Sequence, residues 1–488
     1  MPLVAGVDSS TQSVTVVLRD ADDGRLVGNG RAPHPQTTPP ISEQAPQAWW
    51  DALAAALSME GTADVAAISV DAQCHGLVPL DAAETVIRPA KLWNDTTSSP
   101  EAQELVERLG PAAWAHRAGS VPVGAFTISK LLWLKRREPE HFRRLATILM
   151  PGNWLTFRLT GEKVTDRGDA SGTGYFSPAE SAWRPDLLAL VEDDTDWLSK
   201  LPRILGPEQV VGPVGQTAMD ELGLPRGVVV GPGTGDNMAA ALGLGIQPGD
   251  VVVSLGTSGT VYARHTTSTA DVTGAVNGNA DASGGYLPLV CTLNAAKVTD
   301  AFARLLGVDH EGLTALALEA PARPDRPVLV PYLDGERVPN RPGAAGVLAG
   351  IRSDVSREDI ARAAYEGVVA GLLAGLDVLT GLGVNTGGRL FLTGGGARSA
   401  AYRQLMADLA GRPVHTVDLD ETAAAGAAVQ AAAVLRGAKV TEIASDWAPV
   451  ARIGAEPRAG THGDELLDRY RRTAAWDDLD RPVSGSNA

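Results

Sequence analysis

A chain of 488 residues with 44% hydrophobic and 20% charged residues has the balance of a folded protein, and at that length it divides into two or more domains. The formal charge of -16 argues against a nucleic-acid or anionic-membrane surface, which needs clustered Lys and Arg. Two distant cysteines, Cys74 and Cys291, support neither a disulfide framework nor a zinc site. The start MPLVAGVDSSTQS lacks a signal-peptide pattern and no apolar run reaches membrane-spanning length, so a cytoplasmic protein is expected.

From Leu3 to Arg19 the β-rich runs VAGV and VTVVL flank the polar turn DSSTQS and predict a hairpin. AAISVDAQCHGLVPLD then reads as a buried strand, a short turn and a returning strand, followed by LWND at Leu92 to Asp95. FTISKLLWLKRREPEHF has helical spacing and is closed by Pro139, while SPAESAWRPDLLALV reads as a Pro-interrupted surface element. GPGTGDN at Gly231 runs into MAAALGLG, which begins a helix. After GIQPGD at Gly245 to Asp250, VVVSLGTSGTVYA repeats the first hairpin, with Ser254, Gly256, Thr257 and Gly259 opposite Asp8, Ser10, Thr11 and Ser13. The chain therefore reads as two related halves of mixed α/β type. A helix from Arg357 to Leu376 carries the apolar stripe Ile360, Ala364, Val368, Leu372 and Leu376, and its Gly367, Gly371 and Gly375 predict close backbone packing. The end, from about Asp446, is charged, with one helix around ELLDRYRRTAAW that packs back loosely or caps the structure. The expected division is 1–245, 246–445 and an extension, 446–488.

Three turns follow strands and can aim backbone N–H groups at an anion: DSSTQS, SLGTSG and LTGGGARS. One such turn is commonly just a tight turn; three around a duplicated hairpin point to a phosphate ligand. No G-x-x-x-x-G-K-[ST] run exists, and GPGTGDN breaks the dinucleotide spacing by placing Gly235 one position early. Phosphoryl transfer needs a phosphate cradle, a metal ion and a carboxylate that orients and deprotonates the attacking hydroxyl. Asp236, at a helix start, and Asp8, in the first turn, can supply carboxylates; their ordinary uses would be an N-cap and a turn-former.

SEQAPQAWW, AQCHG, RPAKLWND, GAFTISKLLWL, GTGDNMAAALGLG, SLGTSGTVY, PYLDGERVPN, GVLAGIRSDVSREDIARAAYEG and TGGGARS occur in an order that resembles the FGGY carbohydrate kinases, nearly end to end. The resemblance implies two related domains of the actin, hexokinase and chaperone-ATPase type with an interdomain cleft, the first mainly sugar-binding and the second mainly ATP-binding. It implies ATP and Mg2+, with Asp236 as proton acceptor and Asp8 positioning the metal through water. Cys74, His75, Asp95 and Asn237 would meet the sugar. Thr11, Gly256, Thr257 and Ser258 would meet the phosphates, and Gly394, Gly395, Gly396 and Ala397 the adenosine. The sequence departs from the family at Cys74, where Met or Gln is more usual, at Ser10, where Gly is, and at Ala125. AQCHG and SLGTSGTVY point to D-xylulose, with ribulose, gluconate or glycerol as alternatives. A non-catalytic sugar or nucleotide sensor on the same fold is the rival of another class, against which stand both aspartates and the lack of a helix-turn-helix upstream of Val4 or a basic patch. The implied partners are small molecules, with no nucleic acid and no membrane; a homodimer stays open.

Overall fold

Valine-rich runs on either side of Asp8–Ser13 pair as the antiparallel strands β1 (Leu3–Ser9) and β2 (Ser13–Asp20) in the computed structural model, which describes residues 2–476 and Leu479. Val4, Val7, Val14, Val16 and Leu18 are fully buried, as expected of strands covered on both faces. β3 (Leu26–Pro33) continues the meander beyond β2, and β4 (Val65–Ala72) lies parallel to β1 on its other side, setting Asp8 opposite Asp71. Two short strands, β5 (Gly212–Pro213) and β6 (Val229–Val230), complete the sheet order β5-β6-β4-β1-β2-β3, and β7 (Thr234–Gly235) pairs with the end of β4. Helix α1 (Pro46–Leu57) starts on a proline and covers β2 and β3 with Trp49 and Leu53. Helix α2 (Thr127–Arg137) ends before Pro139, and α3 (Asp236–Gly243) follows β7 directly. The segment read as a surface element instead buries Leu187 and Leu188 completely.

The second unit is built on the same plan. β8 (Val251–Leu255) and β9 (Gly259–Ala263) form an antiparallel hairpin, β10 (Tyr286–Thr292) extends it beyond β9, and β11 (Leu390–Thr393) lies parallel to β8. β12 (Val414–Thr416) is parallel to β11, and β13 (Arg452–Ala455) closes the edge. Three antiparallel strands joined to parallel ones thus occur twice, which bears out the two related halves. The turns differ by one residue: Ser9 pairs with Val14, whereas Leu255 pairs with Gly259. Helix α4 runs Arg357–Gly381, one turn past its expected end, from a Ser356 cap whose hydroxyl accepts from Asp359 N–H. It is long and apolar enough to cross a membrane by length and composition, yet two thirds (67%) of its most apolar stretch is buried. A Cβ at Gly367 would fall 2.5 Å from the Leu329 carbonyl, and one at Gly375 2.9 Å from Val290, so these glycines do permit close packing.

The chain then returns to the first unit. That unit holds residues up to Ile246, Thr266–Leu287 and Leu419–Pro449; the second holds Gln247–His265, Pro288–Asp418 and the described residues from Val450. Residues 266–287 and 419–445, assigned by sequence to the second half, therefore fold with the first. For the latter stretch the physical reason is α5 (Thr422–Arg436), whose small side chains pack on β1, β4 and α3. Gly6 of β1 and Gly426 of α5 have no room for a Cβ, with Ala424 O at 2.0 Å and Ala239 O at 1.8 Å. The final helix, α6 (Gly463–Ala474), buries Leu466 and Tyr470 rather than packing loosely; the expected extension beyond Leu479 lies outside the described residues.

Candidate active site

Parallel pairing of β1 and β4 brings together two carboxyls, and the start of α3 adds a third. Asp8 is half-buried and both its oxygens accept from Ser10 Oγ at 2.8 Å. Burial above all, with the Asp236 charge nearby, pushes its pKa up to about 7, against the opposing Ser10 bond. Asp71 is fully buried, and no N–H or hydroxyl donates to its oxygens. Burial, then Asp8 and Asp236, hold its pKa well above the usual carboxylate range. Asp236 sits in the first turn of α3, where Oδ1 accepts from the Asn237 backbone N–H at 2.7 Å and from Asn237 Nδ2 at 2.8 Å. Burial raises its pKa while the Asn237 bonds and the Cys74 thiol restrain it. Asp166 caps the helix Arg167–Ser171 and also accepts from Thr234 Oγ1, and Asp169 beside it has one buried oxygen without a donor.

The turn after β4 faces this carboxylate group. Cys74 Sγ donates to Asp236 Oδ1 at 3.6 Å, and a Cβ on Gly235 would fall 2.3 Å from that sulfur. Burial, then the Asp236 charge, push the thiol pKa well above its ordinary value, so Cys74 is a protonated hydrogen-bond donor rather than a reactive thiolate. His75 adopts a left-handed backbone (φ 67°), which for a side chain of this size marks a conformation held by its surroundings. Its Nδ1–H donates to Gly172 O at 2.6 Å, and the ring stacks on Phe126 at 4.8 Å. Asn237 lies beside Asp236, half-buried. Thr11 Oγ1 donates to Gln73 Oε1 at 3.4 Å and accepts from Trp93 Nε1 at 2.8 Å, leaving the indole 37% exposed.

Asp95 stands apart. It is fully buried, with its oxygens occupied by the Ser42 and Thr97 backbone N–H groups, the Thr97 hydroxyl and Lys91 Nζ. It anchors the LWND loop from inside and offers no face to a sugar. Asp71, Asp169 and Trp93 were missed by sequence reasoning. Asp71 carried a signal, a lone carboxyl in the apolar strand AAISVDA; Asp169 and Trp93 carried none beyond their residue type.

In the second unit, Gly256, Thr257 and the half-buried Ser258 form the tip of the β8–β9 hairpin, with Ala296 N–H donating to Gly256 O. Gly394 (φ 79°) begins the turn after β11, where a Cβ would fall 2.6 Å from Leu255 O at the end of β8. Only glycine lets this turn close against the neighbouring strand. Gly395, Gly396 and Ala397 follow in a single 3-10 turn. A pocket of about 660 Å³ opens beside it, lined among others by Gly395, Gly396, Ser399, Ala296, Thr314 and Tyr365, a volume in the range of nucleoside-sized ligands.

The profile described as "FGGY family of carbohydrate kinases, N-terminal domain" matches residues 3–243, and that of the C-terminal domain matches residues 251–435. The chain belongs to the FGGY family of carbohydrate kinases. It is 46% identical over 452 residues to the xylulose kinase of Streptomyces coelicolor, covering 91% of each chain, and 44% identical over 472 residues to that of Streptomyces rubiginosus, covering 96% and 95%. Its fold matches the crystal structure of xylulose kinase from Bifidobacterium adolescentis with a TM-score of 0.84 and 37% identity, over 97% of this chain and 99% of that one. The two units are thus those of an actin- and hexokinase-type sugar kinase, with ATP as the phosphoryl donor.

Proposed function

We propose that the chain transfers the γ-phosphoryl group of ATP to D-xylulose, giving D-xylulose 5-phosphate. The Streptomyces relatives support the choice of sugar, since their names hold at 46% and 44% identity over nearly the whole chain. The observation that carries the reaction is Asp236, a carboxylate at a helix start, hydrogen-bonded by Asn237 and set against the Cys74–His75 turn. In this reading the sugar hydroxyl gives its proton to Asp236 as its oxygen bonds to the γ-phosphorus; the bond from that phosphorus to the β–γ bridging oxygen breaks and ADP leaves. A carboxylate made more basic by burial is suited to that task. Cys74, His75 and Asn237 bind the sugar. Thr11, Gly256, Thr257 and Ser258 meet the phosphates, and Gly394, Gly395, Gly396 and Ala397, with the adjoining pocket, take the adenosine.

Among the described residues no cluster of three or more His, Cys, Asp or Glu is arranged to hold a metal by itself. Asp8 fits a Mg2+ ion that arrives with the nucleotide and keeps its waters, because the Asp8 and Asp71 carboxyls meet no cationic side chain in their hydrogen bonds. When bound, the ion offsets phosphate charge. The cytoplasm, where ATP is abundant and thiols stay reduced, suits a chain whose two cysteines are reduced.

A coupled ADP-release assay over D-xylulose, ribulose, gluconate and glycerol tests the substrate; a higher kcat/KM for another member demotes D-xylulose. Asp236→Ala is expected to abolish phosphorylation and keep ATP binding, and near-normal turnover would remove Asp236 as the base. ATP binding with no ADP release on any sugar would favour a sensor.

A further inference from the structure

Lys130 is fully buried in α2, in the company of Ile128, Leu131 and Leu134. Lysine is rarely found there without a carboxylate partner. Its amine instead donates to two backbone carbonyls, His75 O at 2.7 Å and Ala125 O. The nearest acidic influence is Asp95, whose oxygens are taken by Ser42, Thr97 and Lys91. Burial pushes the amine pKa well below its ordinary value. Even the neutral form carries two N–H groups, enough for both carbonyls, so the contact does not depend on charge.

His75 is the residue this arrangement grips. Its left-handed backbone is unfavourable for a non-glycine side chain and persists only where neighbours over-determine it. Its ring is held by Gly172 and Phe126, and its carbonyl by Lys130 and by Thr127 Oγ1 at 3.2 Å. Ala125 O lies just before α2, so the same amine ties the turn to the start of that helix.

We propose that Lys130 is the positioning residue of the sugar turn: by gripping the His75 carbonyl from beneath, it holds the left-handed turn and sets where the imidazole meets the sugar. The inference rests on the reading that the Cys74–His75 turn contacts the sugar. Loss of the grip weakens sugar binding and leaves nucleotide binding alone.

The test is steady-state kinetics on the full chain, with KM measured separately for sugar and ATP. Lys130→Met keeps length and burial but removes the donors, and is expected to raise the sugar KM about tenfold, the worth of a lost buried hydrogen bond, with the ATP KM within about twofold. Thr127→Val removes only the hydroxyl that shares the carbonyl and is expected to shift the sugar KM in the same direction by about threefold. If Lys130→Met fails to fold, Thr127→Val decides alone. In a His75→Ala background Lys130→Met should add less than about twofold, because an absent ring cannot be mispositioned; a merely structural lysine would act independently of it. A raised sugar KM in His75→Ala with wild-type values in both Lys130→Met and Thr127→Val overturns the inference, as do fully multiplicative effects in the double variant. A wild-type sugar KM in His75→Ala instead sinks the sugar reading of the turn, and the inference with it.

Discussion

Gly235→Ala tests the contact between the Cys74 turn and the start of α3 by steric means alone. The backbone at Gly235 (φ −76°, ψ 156°) suits alanine, so no backbone strain enters. The added Cβ would lie 2.3 Å from Cys74 Sγ and 3.3 Å from Met238 Sδ, whereas ordinary contact begins near 3.4 Å. The sulfur must therefore move by about 1 Å, which disturbs its contact with Asp236. Overpacking of this kind costs roughly 1–3 kcal/mol, and a displacement of about 1 Å beside reacting groups can cost on the order of 100-fold in rate. A fall in kcat/KM for the sugar of about 10- to 100-fold is expected, with the ATP KM unchanged. Cys74→Ala removes the obstructing sulfur, so the double variant should recover to the level of Cys74→Ala alone. Initial rates by coupled ADP release, with melting curves for all three variants, measure this. Wild-type kcat/KM in Gly235→Ala, or a double variant no better than the single one, would refute the packing argument.

Gly394→Ala places a Cβ 2.6 Å from Leu255 O at a backbone of φ 79°, so ATP affinity is expected to fall by about tenfold or more while sugar binding, read by calorimetry without nucleotide, is retained. Equal losses for both ligands would contradict that assignment. The nucleotide-free protein is expected to lose stability as pH rises. Asp8 titrates at about 7 in the folded chain against 3.8 ordinarily, so between those values the folded state binds more protons than the unfolded one; Asp71 acts in the same direction. The contribution of Asp8 is fully present below the lower value and is lost as pH rises toward the upper one. Asp71→Asn removes its share, so the drop in urea midpoint between about pH 5.5 and about pH 8 should shrink; an equal or larger drop would count against a protonated Asp71.

Features set by neighbours along the chain were legible in the sequence. β-rich apolar runs on either side of DSSTQS and SLGTSG dictate hairpins, because the runs and the turn lie within a few residues of each other. The apolar stripe dictates α4, and the small residues after GTGD dictate α3. The order of the motifs was enough to identify the family and hence the kind of reaction.

What tertiary structure alone decided are meetings between residues far apart. Asp71 joins Asp8 only through the register of two parallel strands, which no local pattern encodes. Cys74 reaches Asp236 because β7 pairs with the end of β4. Asp95, expected from the sequence to meet the sugar, is instead closed over by the backbone of Ser42 and the side chain of Lys91, since burial depends on what the rest of the chain packs on top. The alanine-rich α5 reads the same in either unit. Its glycine and alanine surface fits against Gly6 and Ala239 of the first, and close backbone contact of that kind is a property of two matched surfaces rather than of one sequence.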